Sequence, residues 1–429
     1  MGRRRARRAT ALALALALAQ FPAPRLHAEG APPELSLAQA RRLASERGFP
    51  ALAARLGALQ AEGQSLQARA LPNPALSFSA QKLNLTPAGE GGSTSDTTFG
   101  VSQLVELGGK RGSRRRAADA GLGAARGQLE ATRVAQDAAV IRAYAAAAAA
   151  ERTAALLRES ADSLAHAATI AEARFAAGEI SSAERDQTQV AAGRFAADVR
   201  SAQAAAEQSR VALQLLLGDP APDGRVRLSD DLAGLGRLVV EAAAAPTPGS
   251  DAVALDARAD VRAAQALAEQ ARAQADLQRA QRVPDLSLFV QYESDRPGNN
   301  NTIGAGVSLP LPLFDRSRGA VAAADAARAQ AESEARRVRA QAVADLAAAR
   351  AALGAAIERR RLLRDELLPR ADSVRRSVAF SYEKGLASLL ELLEAERSLN
   401  DVRLAAVASE SEAVAAAAQL AAALGATLP

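Results

Sequence analysis

The side chains here that could do chemistry are carboxylates and guanidiniums, and almost nothing else. Of 429 residues, 53 are Lys or Arg and 48 are Asp or Glu, against two His, one Met and no Cys. Without Cys there is no disulfide, no thiolate metal ligand and no thiol near the N-terminus for a lipid. His27 and His166 are far apart, so no imidazole pair exists to hold a metal, and a passing cation would meet only weak carboxylate ligands. No nucleophile–base constellation, phosphate loop or paired acid/base motif stands out, which argues against an enzyme and against any cofactor. The carboxylates with a distinctive address are Glu184, Glu391 and Glu394. Glu184 and Glu391 follow Gly178 and Gly385 by six residues, and Glu394 follows Gly385 by nine. By themselves, glutamates so placed read as the wet face of a helix. The densest cationic run is Lys110, Arg111, Arg114, Arg115 and Arg116, in a chain of pI about 10.1. It has no interleaved aromatics, and elsewhere Arg alternates with Glu and Asp, so no nucleic-acid partner is expected.

Two hairpins organise the rest. In VPDLSLFVQYESDRPGNNNTIGAGVSLPLPLF (283–314), Leu286, Leu288, Val290 and Tyr292 alternate with Ser287, Phe289, Gln291 and Glu293. After a Pro/Gly/Asn cluster, Ile303, Ala305, Val307, Leu309 and Leu311 alternate with Thr302, Gly304, Gly306 and Ser308. Period two on both arms predicts a β-hairpin with one apolar face, Val307 on it and Ser308 opposite. Arms of roughly 9–11 residues suit a tilted strand crossing a bilayer, although one such hairpin alone reads better as half-buried and soluble. The pattern occurs twice: NPALSFSAQ (73–81) and TTFGVSQLVEL (97–107) form the earlier copy. There Leu76, Phe78 and Ala80 share one face with Phe99, Val101, Val105 and Leu107, interrupted by Gln103. Pro74 and Pro284 open the two hairpins about 210 residues apart, and RFAAGEISSAE (174–184) matches SYEKGLASLLE (381–391) with Gly178 and Gly385 in register. The chain reads as an internal tandem duplication.

The remainder is helical. Residues 1–28 have the Arg cluster, short apolar core and Ala ending of a signal peptide. No later window is strongly apolar for the ~18 residues of a spanning helix. Residues 29–72 form an N-terminal helical segment with Leu35, Leu37, Leu43, Leu52, Leu56, Leu59 and Leu66 on a rough stripe, interrupted at Gly48 and Pro50. After hairpin 1 (73–108) comes a long helical hairpin, 109–217, with its tip near 178; its rod of about 64 residues would span roughly 95 Å. Leu122 and Leu129, Val134 and Ile141, and Leu157 and Leu164 fall seven apart, a spacing that asks for helical partners. Pro- and Gly-rich residues 218–250 form a mid-length excursion, helix resumes over 251–282, and hairpin 2 is followed by a second long helical hairpin, 315–425, with its tip near 385. There Val343, Leu346, Leu353 and Ile357, then Leu363, Leu367, Val374 and Val378, predict the seam. Leu386, Leu393, Val407 and Val414 mark the return helix, and Pro369 predicts a kink.

Four strands cannot close a barrel, and an open edge in lipid strands unpaired backbone groups at several kcal/mol each. Other copies must complete it, giving eight strands for a dimer or twelve for a trimer. ALPNPALSFS, FGVSQLVELGGKRG, LDARADVRAAQALAEQARA before RVPDLSL, VSLPLPLFDRSRG and the two Gly-centred tips resemble the outer membrane factor (TolC-like) family of outer membrane efflux proteins. Gly108, Gly109, Lys110 and Arg111 look most like its heavy-metal-efflux, CzcC-like branch. The resemblance covers nearly everything after the signal. It implies a mainly α fold with membrane β: a long α-helical barrel continued by a trimeric 12-stranded transmembrane β-barrel, with 218–250 in an equatorial collar.

Function follows from the same resemblance. The chain would be the outer membrane exit duct of a tripartite resistance-nodulation-division efflux pump, a passive conduit for divalent heavy-metal cations. The alternatives are a multidrug, solvent or type I secretion duct, and an exported coiled-coil envelope protein. Implied partners are two further copies in a homotrimer, outer membrane lipid, a periplasmic adaptor (membrane fusion) protein and an inner-membrane RND transporter. The location is the outer membrane with a long periplasmic extension. Residue by residue, Gly178, Glu179, Ile180, Gly385, Leu386 and Ala387 would be adaptor-contact tips, and Glu184, Glu391 and Glu394 would line the aperture. Carboxylate rings there would favour cations, and crowding would raise some of their pKa values. Two features depart from many relatives. The family's lipidated Cys is absent, and its aromatic girdles reduce here to Phe78, Phe99, Phe289, Tyr292 and Phe314.

Overall fold

The computed structural model describes residues 34–81, 95–236, 238, 255–296 and 300–425. The predicted signal peptide and most of the second half of the 218–250 excursion lie outside the described residues. The chain runs β1 (Glu34–Leu35), α1 (Leu37–Arg47), α2 (Phe49–Ala68), β2 (Ala75–Gln81), β3 (Ser95–Val105), α3 (Lys110–Ala176) and α4 (Ser182–Leu216). It continues with β4 (Arg227–Leu228), α5 (Ala259–Gln281), β5 (Leu286–Arg296), β6 (Asn300–Ser308), α6 (Arg318–Arg361), a π turn (Leu362–Leu367), α7 (Leu368–Glu383) and α8 (Leu389–Ala423). The order helix, hairpin, long helix, return helix therefore occurs twice.

The hairpins join into one antiparallel sheet in the order β2-β3-β5-β6. Its register stacks like residues on like. Phe78, Phe99, Tyr292 and Ile303 form one row, and Leu76, Val101, Val290 and Ala305 the next. Between them, on the opposite face, runs the row Ser77, Gly100, Gln291 and Gly304. The apolar face is bare: Leu76 and Ile303 are each 79% exposed. On the polar face Phe289 and Leu104 are the large apolar exceptions, and Phe289 lies across Gly306, where an added Cβ would sit 2.4 Å from its ring. β6 stops at Ser308 instead of reaching Leu311, because Pro310 and Pro312 have no N–H for a ladder. Val307 is thus near the end of its strand, and Val290 is the better mid-height position on the apolar face.

The helices continue the order of the strands they adjoin. Near the sheet, α2 packs on α3, α3 on α5 and α5 on α6; further away, α4 packs on α3, and α8 lies between α3 and the α6–α7 rod. The α3 rod is 67 residues, about 100 Å long. It begins at Lys110 because Gly109, at φ 71°, turns the chain out of the sheet. Helix after the excursion is present at 255–257, breaks at Arg258 and is continuous from Ala259. The largest core cluster lies midway, where Val140, Ile141 and Tyr144 of α3 meet Leu213, Leu346 and Val414. Tyr144, fully buried, donates to the Leu35 carbonyl at 2.7 Å and accepts from the Asp230 amide at 3.1 Å. That hydroxyl fastens the β1–β4 pair, where the excursion returns to the chain start.

The seam is narrower than the spacing of large residues implied. Ile141, Leu157, Leu164, Leu346, Leu353, Val407 and Val414 are buried, as expected. Val343, Leu367, Val374 and Leu386 are exposed instead, and so are Leu52, Leu56, Leu59 and Leu66 of the α2 stripe. Alanines do the packing in their place: α2 buries Ala51, Ala61, Ser65 and Ala68 against its own chain, which turns its leucines outward. Pro369 gives a one-turn π bulge. The Leu368 amide reaches back to the Leu363 carbonyl, widening the turn where the proline ring would crowd the carbonyl four residues earlier. One helix, Arg318–Glu383, does contain an 18-residue window of mean hydropathy 1.2, contrary to expectation. That value comes from alanine, and Ala342, Leu346, Ala349 and Leu353 spend their methyls on neighbouring helices.

Candidate functional site

Both tips end in the same construction. The α3 rod stops at Ala177, Gly178 takes φ 75°, and the amides of Gly178 and Glu179 return to the carbonyls of Phe175 and Arg174, each at 2.9 Å. At the second tip Gly385 takes φ 72°, and the amides of Gly385 and Leu386 return to Tyr382 and Ser381 at 3.0 and 2.8 Å. This double closure satisfies the last carbonyls of each rod and needs a residue tolerant of positive φ. The return helices are capped by Ser181 and Ser388, whose hydroxyls accept from the amides of Glu184 and Glu391 at 3.2 and 3.3 Å. Neither serine was singled out from sequence, although Ser-x-x-Glu before an apolar run is a helix-start signature.

The glutamates have partners within the chain. The Glu391 carboxylate accepts from the Ser388 amide at 2.7 Å and its hydroxyl at 2.9 Å. Those two donors, the backbone one first, hold it below the ordinary carboxylate range. In one chain, then, Glu391 shifts opposite to the upward effect expected of a crowded ring. Glu394 is exposed and pairs with Arg397 at 3.3 Å, while Glu184 is half-buried at the start of α4. The structure does not pair Glu184 with Glu391 or Glu394.

It does bring the two tips together. Arg174 pairs with Glu179 at 3.2 Å and lies over the Tyr382 ring at 5.8 Å, and Ile170 and Gly385 help enclose a cleft of about 280 Å³ between them. Tyr382 is buried with Ala167, Leu389 and Leu392, and burial pushes its hydroxyl pKa up. Gly178, Glu179 and Gly385 are exposed, Leu386 is 82% exposed, and Ile180 and Ala387 are half-buried. Above the tips, Ser160 donates to Asn400 in the interior and Ser163 to Glu396 at its margin, a polar link between α3 and α8 that the sequence reading missed. Among the described residues there is no group of three or more His, Cys, Asp or Glu able to hold a metal ion.

At the other end of the rods, the Gly-Gly-Lys-Arg run makes a joint. Lys110 pairs with Asp285 at 2.7 Å, and the same carboxylate accepts from the Leu107 amide at 3.1 Å. Arg114 pairs with Glu106 and caps α2 through the carbonyls of Ala68 and Ala70. Gly108, at φ 66°, lets the chain turn directly against Val283. Exit from one hairpin and entry to the other are thereby tied.

A bare four-stranded sheet on long helices with glycine-turned tips has close counterparts. The chain is 27% identical over 370 residues to the cobalt-zinc-cadmium resistance protein CzcC of Cupriavidus metallidurans, covering 86% of this chain and 85% of that one. Its fold matches a membrane protein from Pseudomonas aeruginosa with TM-score 0.75 at 23% identity, over 91% of this chain and 90% of the other. It also matches the outer membrane protein VceC of Vibrio cholerae with TM-score 0.71 at 22% identity, over 92% and 97%. For CusC the TM-score is 0.72 at 18% identity, over 95% and 97%. The family model described as outer membrane efflux protein matches residues 37–219 and 252–426, both helix–hairpin–rod halves, and the chain belongs to that family.

Proposed function

We propose that three copies form a closed duct: a 12-stranded barrel in the outer membrane continued by a helical tube into the periplasm. The observation that carries this is the coincidence of unpaired edges. β2 and β6 are the open edges of the sheet, and α2 and α6, which adjoin them, flank the wall of helices. The outward leucines of α2 and the exposed Val343, Leu367 and Val374 of the rod lie on helices at those two flanks. Head-to-tail packing of flank on flank closes a ring and satisfies every edge. The twofold element order fits an ancestral duplication, which gives each copy two hairpins and two tips.

In this reading the duct is the exit of a tripartite pump with a periplasmic adaptor and an inner-membrane RND transporter. The tips Gly178, Glu179, Ile180, Gly385, Leu386 and Ala387 are the adaptor contacts. Divalent heavy-metal cations are the cargo, supported by the likeness to a cobalt-zinc-cadmium resistance protein. A strain lacking this chain should lose tolerance to zinc, cobalt or cadmium. Unchanged metal tolerance with altered drug tolerance would overturn the metal reading and leave the duct.

Glu184, Glu391 and Glu394 line the inner aperture, where threefold repetition of Glu391 and Glu394 makes two acidic rings that favour cations. Glu391→Gln with Glu394→Gln tests this without undoing the helix start, since Gln at the third helical position also completes a capping box. The double variant should assemble normally and lose cation selectivity in planar bilayers at low salt. A cation-to-anion permeability ratio equal to the unaltered duct would remove these glutamates from the aperture.

A further inference from the structure

The cationic run at the joint is only partly used by the fold. Lys110 and Arg114 are taken by Asp285 and Glu106, and Arg69 by Asp119. Arg111, Arg115 and Arg116 remain exposed on the first turns of α3, Arg111 donating to the Arg69 carbonyl and Arg116 to the Ser113 hydroxyl, each at 3.0 Å, with no carboxylate partner among the described residues. They are joined at the same level by Arg282, just before β5, and by Arg316 and Arg318, just after β6, all exposed. Arg282, Arg316 and Arg318 make no ion pair among the described residues, Arg115 has only a longer-range attraction to Asp119, and the nearby Asp315 carboxylate accepts from the Ser317 amide at 2.7 Å. Antiparallel register puts the rod-side ends of all four strands together, so these arginines form one band beneath the sheet. The opposite end of the described sheet carries Asp96, Glu293 and Asp295, with Arg296 the last residue of β5.

Directly above the band the surface is apolar. Leu311 is 68% exposed, Leu313 65% and Phe314 fully exposed, continuing the lipid-side apolar character of β6 to within two residues of Arg316. An apolar belt edged by guanidiniums is the arrangement of a membrane interface, where long cationic side chains reach from hydrocarbon depth to phosphate. Resting on the membrane reading of the sheet, we propose that this band binds anionic phospholipid headgroups of the periplasmic leaflet. Charge sign selects the ligand: guanidiniums match phosphodiester oxygens in bidentate geometry, and a zwitterionic headgroup offers no net charge to hold. The rod-side position selects the leaflet.

The test uses the assembled full chain in phosphatidylcholine nanodiscs doped with phosphatidylglycerol, reading retained lipids by native mass spectrometry. The unaltered protein should retain phosphatidylglycerol over phosphatidylcholine by at least roughly five-fold, about the factor one Arg contributes near an anionic surface. Arg115→Gln, Arg116→Gln, Arg316→Gln and Arg318→Gln together should abolish the preference, the four Arg→Lys counterparts should keep it, and Arg194→Gln with Arg200→Gln on α4 should leave it unchanged. Insertion, read separately by vesicle flotation, reports on the membrane reading itself. Insertion without any preference overturns the lipid site alone. Loss of the oligomer in the Gln variant but not the Lys variant would assign the band to contacts between copies and overturn it. A stronger preference for added lipopolysaccharide through the same residues would place the band at the outer leaflet and overturn it as well.

Discussion

Arginine in place of Val290 should keep the protein out of the outer membrane. Val290 stands on the bare apolar face, one residue from the middle row, and on an interior strand flanked by Val101 and Ala305. A guanidinium at mid-depth on the lipid side of a barrel costs about 2–4 kcal/mol. The proposed trimer would meet that cost three times, on the order of 6–12 kcal/mol, comparable to the whole stability of a typical domain. The neighbouring Gln291→Arg points to the other face, where Gly100 and Gly304 leave room beside it. It should insert normally and change conductance. Membrane fractionation with bilayer recording separates the two; exchanged outcomes would mean that the faces of the sheet are reversed, and equal behaviour that the assignment of a lipid face is wrong.

Leu56→Glu with Leu59→Glu should yield monomers. Both leucines are 55% exposed on the flank of α2 turned away from its own chain. In the closed ring they would be covered by the next copy. Each substitution forfeits about 1.5–3 kcal/mol of apolar burial, before the cost of enclosing an unpaired carboxylate. Gln64→Glu, exposed at an angle well away from the leucine stripe, adds the same kind of charge and should leave the trimer intact. Mass measurement in detergent reads the result. A trimer that survives the double substitution would show that α2 is not part of the contact between copies.

Much of this was legible because period-two alternation and rod length are local properties. The facing of Leu76, Phe78, Val101, Val290 and Ile303 follows from alternation alone, and register only confirms which of them adjoin. Gly178 and Gly385 were legible for a similar reason, since a break between two long helices needs positive φ. What was not legible was which large residues find partners within one chain. Seven-residue spacing nominated Val343 and Val374 for the seam, and a rough stripe nominated Leu52, but alanine faces allow closer approach and take the contact from them. The caps Ser181 and Ser388 were present as a pattern and passed over. Glu391 shows the limit of reading charge alone: its carboxylate is bound by the start of its own helix, a constraint set by geometry three residues away.

The alignment of sheet edges with helix flanks has a consequence for inheritance. If three copies close head to tail as proposed, the ring has no spare surface, so each copy must satisfy both neighbours. A variant sound at one flank and defective at the other still enters the ring and leaves it open. If altered and normal chains are made in equal amounts and mix freely, only about one ring in eight contains three normal chains. Such a lesion would therefore be dominant: a second, altered copy in the cell would silence most of the output of the intact one, whereas a variant unable to join at either flank would be harmless beside it.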